Sequence, residues 1–485
     1  MQIPSKLVCL CVLLWLPIWV CAAPTNYLQQ CWRKQGQALQ GGYVSFSFQE
    51  KANELEHSLY PWQQTSYAKQ GSVAMNAENF LKHDSLTQGS RTLSSKTQLS
   101  PSELLFLDYG DKDLFAVTPD LFAGQLVHSA RYSPLLLLHY FVRQQVAATA
   151  PAATEFAVYQ TQVQGSRVTL FIRKASQLLD RAEILSHDDL FGDVLTTCTY
   201  GNYESIGKVS VPTTVAISKL NGKLQDAVLI SGLRVVAQSA PLLQRPAGYQ
   251  MPAPPAAPAP VVQHYRPNIH LLELKHTDDR VMVVEFQDFL LVAEAPLNSQ
   301  NGESILAAAR QIAPGKPVRY FVFGHYHPHY LGGLRPFVQQ GATVLCGPGD
   351  EAYVRYLAAA PHTLRPDSQQ RAPRPLQLEE IATSKTITDG QFTMQIYFIG
   401  NASAHTNDYL IYYFPSEKLL FEDDLVWIKR EGGSKKASAR QAGLYKAVKA
   451  LNLDVETVIQ SWPVADYGVK TIIPFADIEQ SMQVK

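Results

Sequence analysis

Phe323-Gly324-His325-Tyr326-His327-Pro328-His329-Tyr330-Leu331-Gly332-Gly333 decides how this chain is read. Its histidines leave an apolar, strand-like run, Val318 to Phe323, and lead into Gly-Gly. Two histidines one residue apart, in extended or looping backbone, can aim at a single ion. A hydrolytic zinc site needs neutral imidazoles or carboxylates at about 2 Å, with one coordination position left for water. A lone histidine at a strand end usually reads as a satisfied polar residue. Three in five positions, with further ligand types downstream, read as a metal site. Two downstream residues qualify. His405 lies in Gly400-Asn401-Ala402-Ser403-Ala404-His405-Thr406-Asn407-Asp408, and Asp424 in Leu420-Phe421-Glu422-Asp423-Asp424-Leu425.

Around these motifs runs a βα rhythm. Strands are predicted over Val281–Phe286, Phe289–Ala293, Val318–Phe323, Ala342–Cys346, Thr393–Ile399, Tyr409–Phe414, Leu419–Phe421 and Val455–Ile459. Helices are predicted over Glu303–Ile312, Leu334–Gln340, a segment capped by Asp350, and Gln441–Leu451. Alternating strands and helices make an α/β domain. Upstream, short β-branched and aromatic runs (Val168–Ile172, Ala182–Leu185, Val194–Tyr200, Thr213–Ile217) are punctuated by turns at Gly192-Asp193, Gly201-Asn202 and Asn221-Gly222. That pattern predicts an antiparallel sheet. Tyr43–Phe48 alternates like a strand, Leu104–Leu107 reads as a buried strand or helix, and Leu135–Phe141 as a helix. The expected division is a signal peptide over 1–22, a mainly-β domain over 23–244, a Pro-rich linker over 245–267 and the α/β domain over 268–485.

The histidine stretch resembles the metallo-β-lactamase superfamily (glyoxalase-II-like) motif His-x-His-x-Asp-His-x-Gly-Gly. The resemblance continues through His405-Thr406, Tyr412-Tyr413-Phe414-Pro415 and Leu420-Phe421-Glu422-Asp423-Asp424, and covers roughly residues 268 to 485. It implies a multidomain α+β/α/β protein in which the antiparallel β domain precedes an αββα sandwich. The β domain itself resembles lipoprotein-carrier-like sheets in pattern only. The family's first metal is held by three histidines, which carry over to His325, His327 and His405. Asp424 falls on the bridging aspartate, and Asp423 replaces the usual Gly. The second-metal positions are changed: His329 stands for the Asp, Tyr330 for the next His, and Trp462 for a late His. No histidine follows His405. A reduced, mononuclear zinc site is therefore expected, with His325, His327, His405 and Asp424 around the metal and His329 as proton acceptor. A second ion on His329, Asp424 and Tyr330 is the less favoured arrangement. Tyr330 reads as packing and Trp462 as a hydrophobic wall.

The activity implied by the resemblance is hydrolysis of an ester, thioester, amide or similar bond by metal-bound hydroxide, on a small-molecule substrate. Two rivals stand beside it: a binding protein that kept the fold and lost the reaction, and an iron-dependent oxidoreductase at the same ligands, since imidazole suits both metals. Lys+Arg and Asp+Glu both total 42, which gives no sign of a nucleic-acid partner. With 46% hydrophobic and 17% charged residues the chain supports packed cores. Lys6, the apolar run Leu7–Val20 and the small residues of Val20-Cys21-Ala22 read as an export signal cut after Ala22, leaving a periplasmic or secreted protein with no membrane span. Cys31, Cys198 and Cys346 remain; they read as isolated thiols, with a Cys31–Cys198 bridge as the alternative. Lys429, Arg430, Lys435, Lys436 and Arg440 read as a solvated loop, and Asn401-Ala402-Ser403 matches a glycosylation sequon.

Overall fold

The alternation that begins at Tyr43 continues as a 13-residue strand, Tyr43–Leu55, in the middle of an eleven-stranded antiparallel sheet. A computed structural model describes residues 26–39, 42–55, 58–88, 91–101, 103–107, 119–149, 154–236, 256–432, 435–465 and 467–484. The leader read over 1–22 and the first part of the Pro-rich linker lie outside the described residues. From Tyr43–Leu55 the chain steps outward through Gln64–Met75, Phe80–Gln88, Arg91–Leu99 and Leu104–Leu107 to one edge. It re-enters at the opposite edge with Phe156–Val163 and meanders back to Leu224–Val236, which closes against Tyr43–Leu55. Helices Tyr27–Gln35 and Leu135–Arg143 pack on the apolar face, burying Leu28, Leu135, Leu137 and Phe141 with Phe46, Phe48, Leu170 and Ile217. The strands at 64–99 carry Ser, Thr, Gln and Lys on their outward face, so no apolar run announces them.

The C-terminal part has four layers, with a core between each neighbouring pair. Val261–Arg266, Ile269–Leu274, Asp279–Glu285 and Leu290–Ala293 pair antiparallel; Val318–Val322, Thr343–Cys346 and Gln377–Glu380 then add in parallel, making seven strands. Val261–Arg266 falls inside the stretch expected to be linker. Its residues Val261, Val262 and Tyr265 are β-formers, and they pair with Ile269–Leu274 across the turn that follows Pro267. A second sheet of six strands runs from Ser384–Thr388 to Ile472–Pro474. Met282, Val284, Leu291, Val322 and Leu345 of the first sheet pack against Ile396, Leu410, Tyr412 and Phe421 of the second. Outside the first sheet lie helices Ser299–Ile312, Leu334–Gln340 and Glu351–Ala359; outside the second lie Ala439–Ala450 and Phe475–Gln483. This is an αββα sandwich.

Local signals explain the boundaries. Ser299–Ile312 starts four residues before the predicted helix because the Asn298 side chain accepts from Asn301 N–H and caps it. Asp350 does occupy the N-cap of Glu351–Ala359, yet its side chain makes no cap bond. The two halves share a hydrophobic cluster, in which Leu190, Phe191 and Leu224 of the large sheet meet the helix-bearing face of the sandwich. Cys31, Cys198 and Cys346 are buried free thiols, so the Cys31–Cys198 bridge is not formed. No helix among the described residues is long and apolar enough to cross a membrane.

Candidate metal centre

Strand Val318–Val322 is buried at its C-terminal end, and the chain leaves it through Phe323-Gly324 into the histidines. His327 is the N-cap of a single helical turn, Pro328–Leu331, with Pro at its first position. Gly332 follows because the chain lies flat on Leu297: a Cβ there would sit 2.5 Å from Leu297 backbone atoms. Leu410 N–H donates to Gly324 O at 2.7 Å, tying the histidine loop to the second sheet.

The structure brings His325, His327 and His405 together. One ligand atom from each lies within 4.8 Å of the others. His325 Nε2 is 3.0 Å from His327 Nδ1. Two nitrogens each about 2 Å from one tetrahedral ion stand roughly 3.3 Å apart, so this is ligand spacing. His325 is fully buried, and its other nitrogen, Nδ1, is held 2.7 Å from Asp423 Oδ2. That bond fixes the ring so that Nε2 faces the centre, the outer-shell arrangement usual for ligating histidines. Burial pushes the His325 imidazole well below its ordinary range, with His327 and His405 adding to the effect, so it stays neutral. His405 is positioned by Ser403, whose Oγ accepts from the His405 N–H (3.1 Å) and the Thr406 N–H (3.3 Å).

Asp424 stands beside the triad, its Oδ2 3.2 Å from His405 Nε2 and 3.1 Å from Arg440 Nη1. Burial would raise its carboxyl, but His405 and Arg440 outweigh that and hold it below the ordinary value. Arg440, expected to belong to a solvated loop, is thus a partner of the site. His329 lies outside the triad, its Nδ1 3.0 Å from both oxygens of the fully buried Asp279. That hydrogen bond raises the His329 imidazole against the effect of burial. Tyr330 packs 4.4 Å from the His325 ring, as expected of a packing residue. Trp462 sits with Trp427 and Tyr467 in an aromatic group, ring centroids 5.9 to 6.2 Å apart, and its N–H donates to Asp423 O at 2.9 Å.

Several site residues carried no signal in the sequence. Asp423 reads only as a replaced Gly, yet it is the partner of His325. The space for it comes from Gly324, where a Cβ would lie 2.2 Å from Asp423 Oδ2. Asp279 and Asp408 come from distant segments, and Asp408 Oδ2 accepts from the Tyr326 N–H at 2.7 Å. Tyr409 stacks on His325 (4.8 Å), and its hydroxyl accepts from the N–H groups of Asp423 and Asp424. Glu294 adopts a left-handed backbone (φ 73°), with Tyr412 Oη donating to it at 2.8 Å. Such strain in a non-Gly residue clusters at functional sites.

The donor set fits a cation. Glu294, Glu422 and Asp423 are completely buried around the histidines. Burial pushes Glu294 and Glu422 up to about 8 and Asp423 well above the carboxylate range. A divalent ion at the triad would supply the positive charge that this acid shell lacks.

No family profile and no curated protein matches the chain. Solved structures do resemble its fold. The DIM-1 metallo-β-lactamase is 13% identical, with 47% of this chain and 98% of that chain covered and a TM-score of 0.34. The FIM-1 metallo-β-lactamase from Pseudomonas aeruginosa, in its mono-zinc form, is 14% identical over 48% and 96%, with a TM-score of 0.35. The sec-alkylsulfatase Pisa1 from Pseudomonas sp. is 13% identical over 46% and 39%, with a TM-score of 0.31. With its layered sandwich, three cores and histidine loop at a strand end, the C-terminal half is similar in fold to these proteins.

Proposed function

We propose that the protein is an exported metal-dependent hydrolase with one zinc ion per chain, acting on an ester, thioester, amide or similar bond of a small molecule. The observation that carries this reading is the convergence of His325, His327 and His405, with His325 Nδ1 locked on buried Asp423. An ion held by these three nitrogens would supply Lewis acidity and an activated water. Asp424, beside His405, is the acceptor that would orient that water. His329 takes up or returns a proton at Nε2, while Asp279 holds its Nδ1. The loss of ligand types at Tyr330 and Trp462 supports one ion rather than two. Export rests on the apolar leader, Leu7–Val20.

A binding protein without activity is the second reading. It is favoured by the aromatic Trp462 and Tyr330 standing where the family motif places ligands. The deciding experiment is metal content by elemental mass spectrometry, followed by an ester and thioester screen with His327→Ala as control. About one zinc per chain and turnover abolished by His327→Ala support the hydrolase. Zinc without turnover leaves the binding protein. Absence of metal after zinc addition, or turnover that survives His327→Ala, overturns the assigned centre.

A further inference from the structure

The hairpin Tyr43–Leu55/Gln64–Met75 belongs to the large N-terminal sheet, but its turn ends on the histidines. Ser58 N–H donates to the Tyr326 hydroxyl at 2.9 Å, and Tyr326 is the residue between His325 and His327. Leu59 O accepts from the Asn407 N–H at 2.8 Å, two residues beyond His405. The turn therefore touches both segments that supply the triad.

It is also clamped there. Trp62, at φ 66°, packs among Phe191 (5.7 Å), Tyr353 (4.9 Å) and Tyr356 (5.0 Å), with the Lys223 ammonium 4.0 Å over its ring. Aromatic packing and a cation–π contact hold Trp62 in place. Two large apolar side chains in the turn are nevertheless left to solvent: Leu59 is 46% exposed and Tyr60 53%. A second exposed apolar group flanks the site by way of the aspartates. Trp427, three residues past Asp424, is 44% exposed, and Tyr467 beside it 55%. Both segments are tied to the ligand-bearing chain, one through Tyr326 and Asn407 and the other through Trp462 and Asp423, and apolar side chains beside such a centre suit a substrate site.

We propose that the N-terminal domain completes the substrate site, and that the substrate carries an apolar acyl or aryl group held by Leu59 and Tyr60 of the hairpin turn and by Trp427 of the aromatic group. This rests on the hydrolase reading for its reaction but not for its binding. Each methylene buried between such walls strengthens binding by roughly fourfold, so affinity rises with acyl chain length.

The test uses the zinc-loaded full chain with two probes: octanoate, titrated by calorimetry, and p-nitrophenyl esters from acetate to octanoate. Octanoate is expected to bind, and Leu59→Ser, Tyr60→Ser and Trp427→Ser are each expected to weaken it at least fivefold at unchanged zinc content. KM for the octanoate ester is expected to rise in parallel, with the change falling on KM rather than kcat. Failure of octanoate to bind the unaltered protein, or equal affinity in all three variants, overturns the proposal. Octanoate binding that responds to the variants, without ester turnover, upholds the apolar site and counts against the hydrolase. Ester turnover indifferent to chain length does the reverse.

Discussion

Two regions of this molecule bury charge, and they do it in opposite ways. In the N-terminal sheet Glu50 and Asp226 are each matched by a cation: Arg131 Nη2 lies 2.5 Å from Glu50 and 2.6 Å from Asp226, and Lys219 Nζ lies 2.8 Å from Asp226. Burial would raise Asp226, but the Asn53 N–H, Lys219 and Arg131 together hold it below its ordinary value. Around the histidines the acids have no such match. Glu294 and Asp423 are buried against each other, Glu422 accepts from the Leu425 N–H, and among the described residues the one cation hydrogen-bonded to an acid beside the triad is Arg440, on Asp424. Two acids and two bases packed together form a closed structural unit. Buried acid beside three converging imidazoles is a set of donors with no cation of its own. Buried charge by itself therefore marks nothing; the imbalance marks the site.

The contrast breaks most sharply at the triad. His405→Ala should lower zinc content from about one per chain to near zero, read by elemental analysis, while circular dichroism stays unchanged. Retention of full zinc would mean that the acid shell, and not the imidazoles, holds the ion. Next in size is the balanced cluster. Arg131→Met should cost about 3–5 kcal/mol of stability in urea unfolding, because it leaves two buried carboxylates short of a partner. It should leave zinc content alone. A loss below 1 kcal/mol would show that Lys219 alone neutralises the cluster. Third is Asp423→Asn. It keeps the shape but replaces the carboxyl group that holds His325 Nδ1, and should weaken zinc affinity about 10–100-fold in a chelator competition. Unchanged affinity would reduce Asp423 to a space-filler over Gly324.

The sequence exposes these two regions unequally. His325, His327 and His405 are legible because metal ligands need particular residue types at particular spacings, and that need survives in the order of residues. The strands of the sandwich are legible from their apolar runs. Asp423 is present in the same motif but reads as a substitution, because its partner is fixed by the meeting of two sheets at Gly324 and not by spacing. Asp279 and Glu294 are further still from their partners in sequence. Arg131 and Asp226 lie 95 residues apart, and nothing local joins them. The polar strands Gln64–Met75 and Phe80–Gln88 were hidden for a related reason: the residues on their outward face are those of turns. The hairpin turn at Ser58 and Leu59 lies still further from the segments it touches, and only the packing of the halves places it on the metal centre.

The smallest effect expected is on pH, and it should separate the regions once more. His128 lies in the helix Pro119–Ser129 against Tyr132, 5.9 Å between ring centroids. Burial, followed by Arg131, Lys82, Lys69 and Lys219, pushes its imidazole down to about 3, from an ordinary value of 6.5. A histidine depressed in the folded state stabilises the fold above its unfolded pKa, and that contribution drains away as pH falls from 6.5 toward 3. Between pH 7 and pH 5 the loss is about 1–2 kcal/mol. His128→Gln keeps a polar side chain of similar reach and removes the titration, so its stability should fall less steeply over that interval. The carboxylates that also titrate in acid are common to both proteins and cancel in the comparison. Identical slopes for the two would mean that the imidazole is hydrated in the fold, and that the cations of the balanced cluster do not reach it.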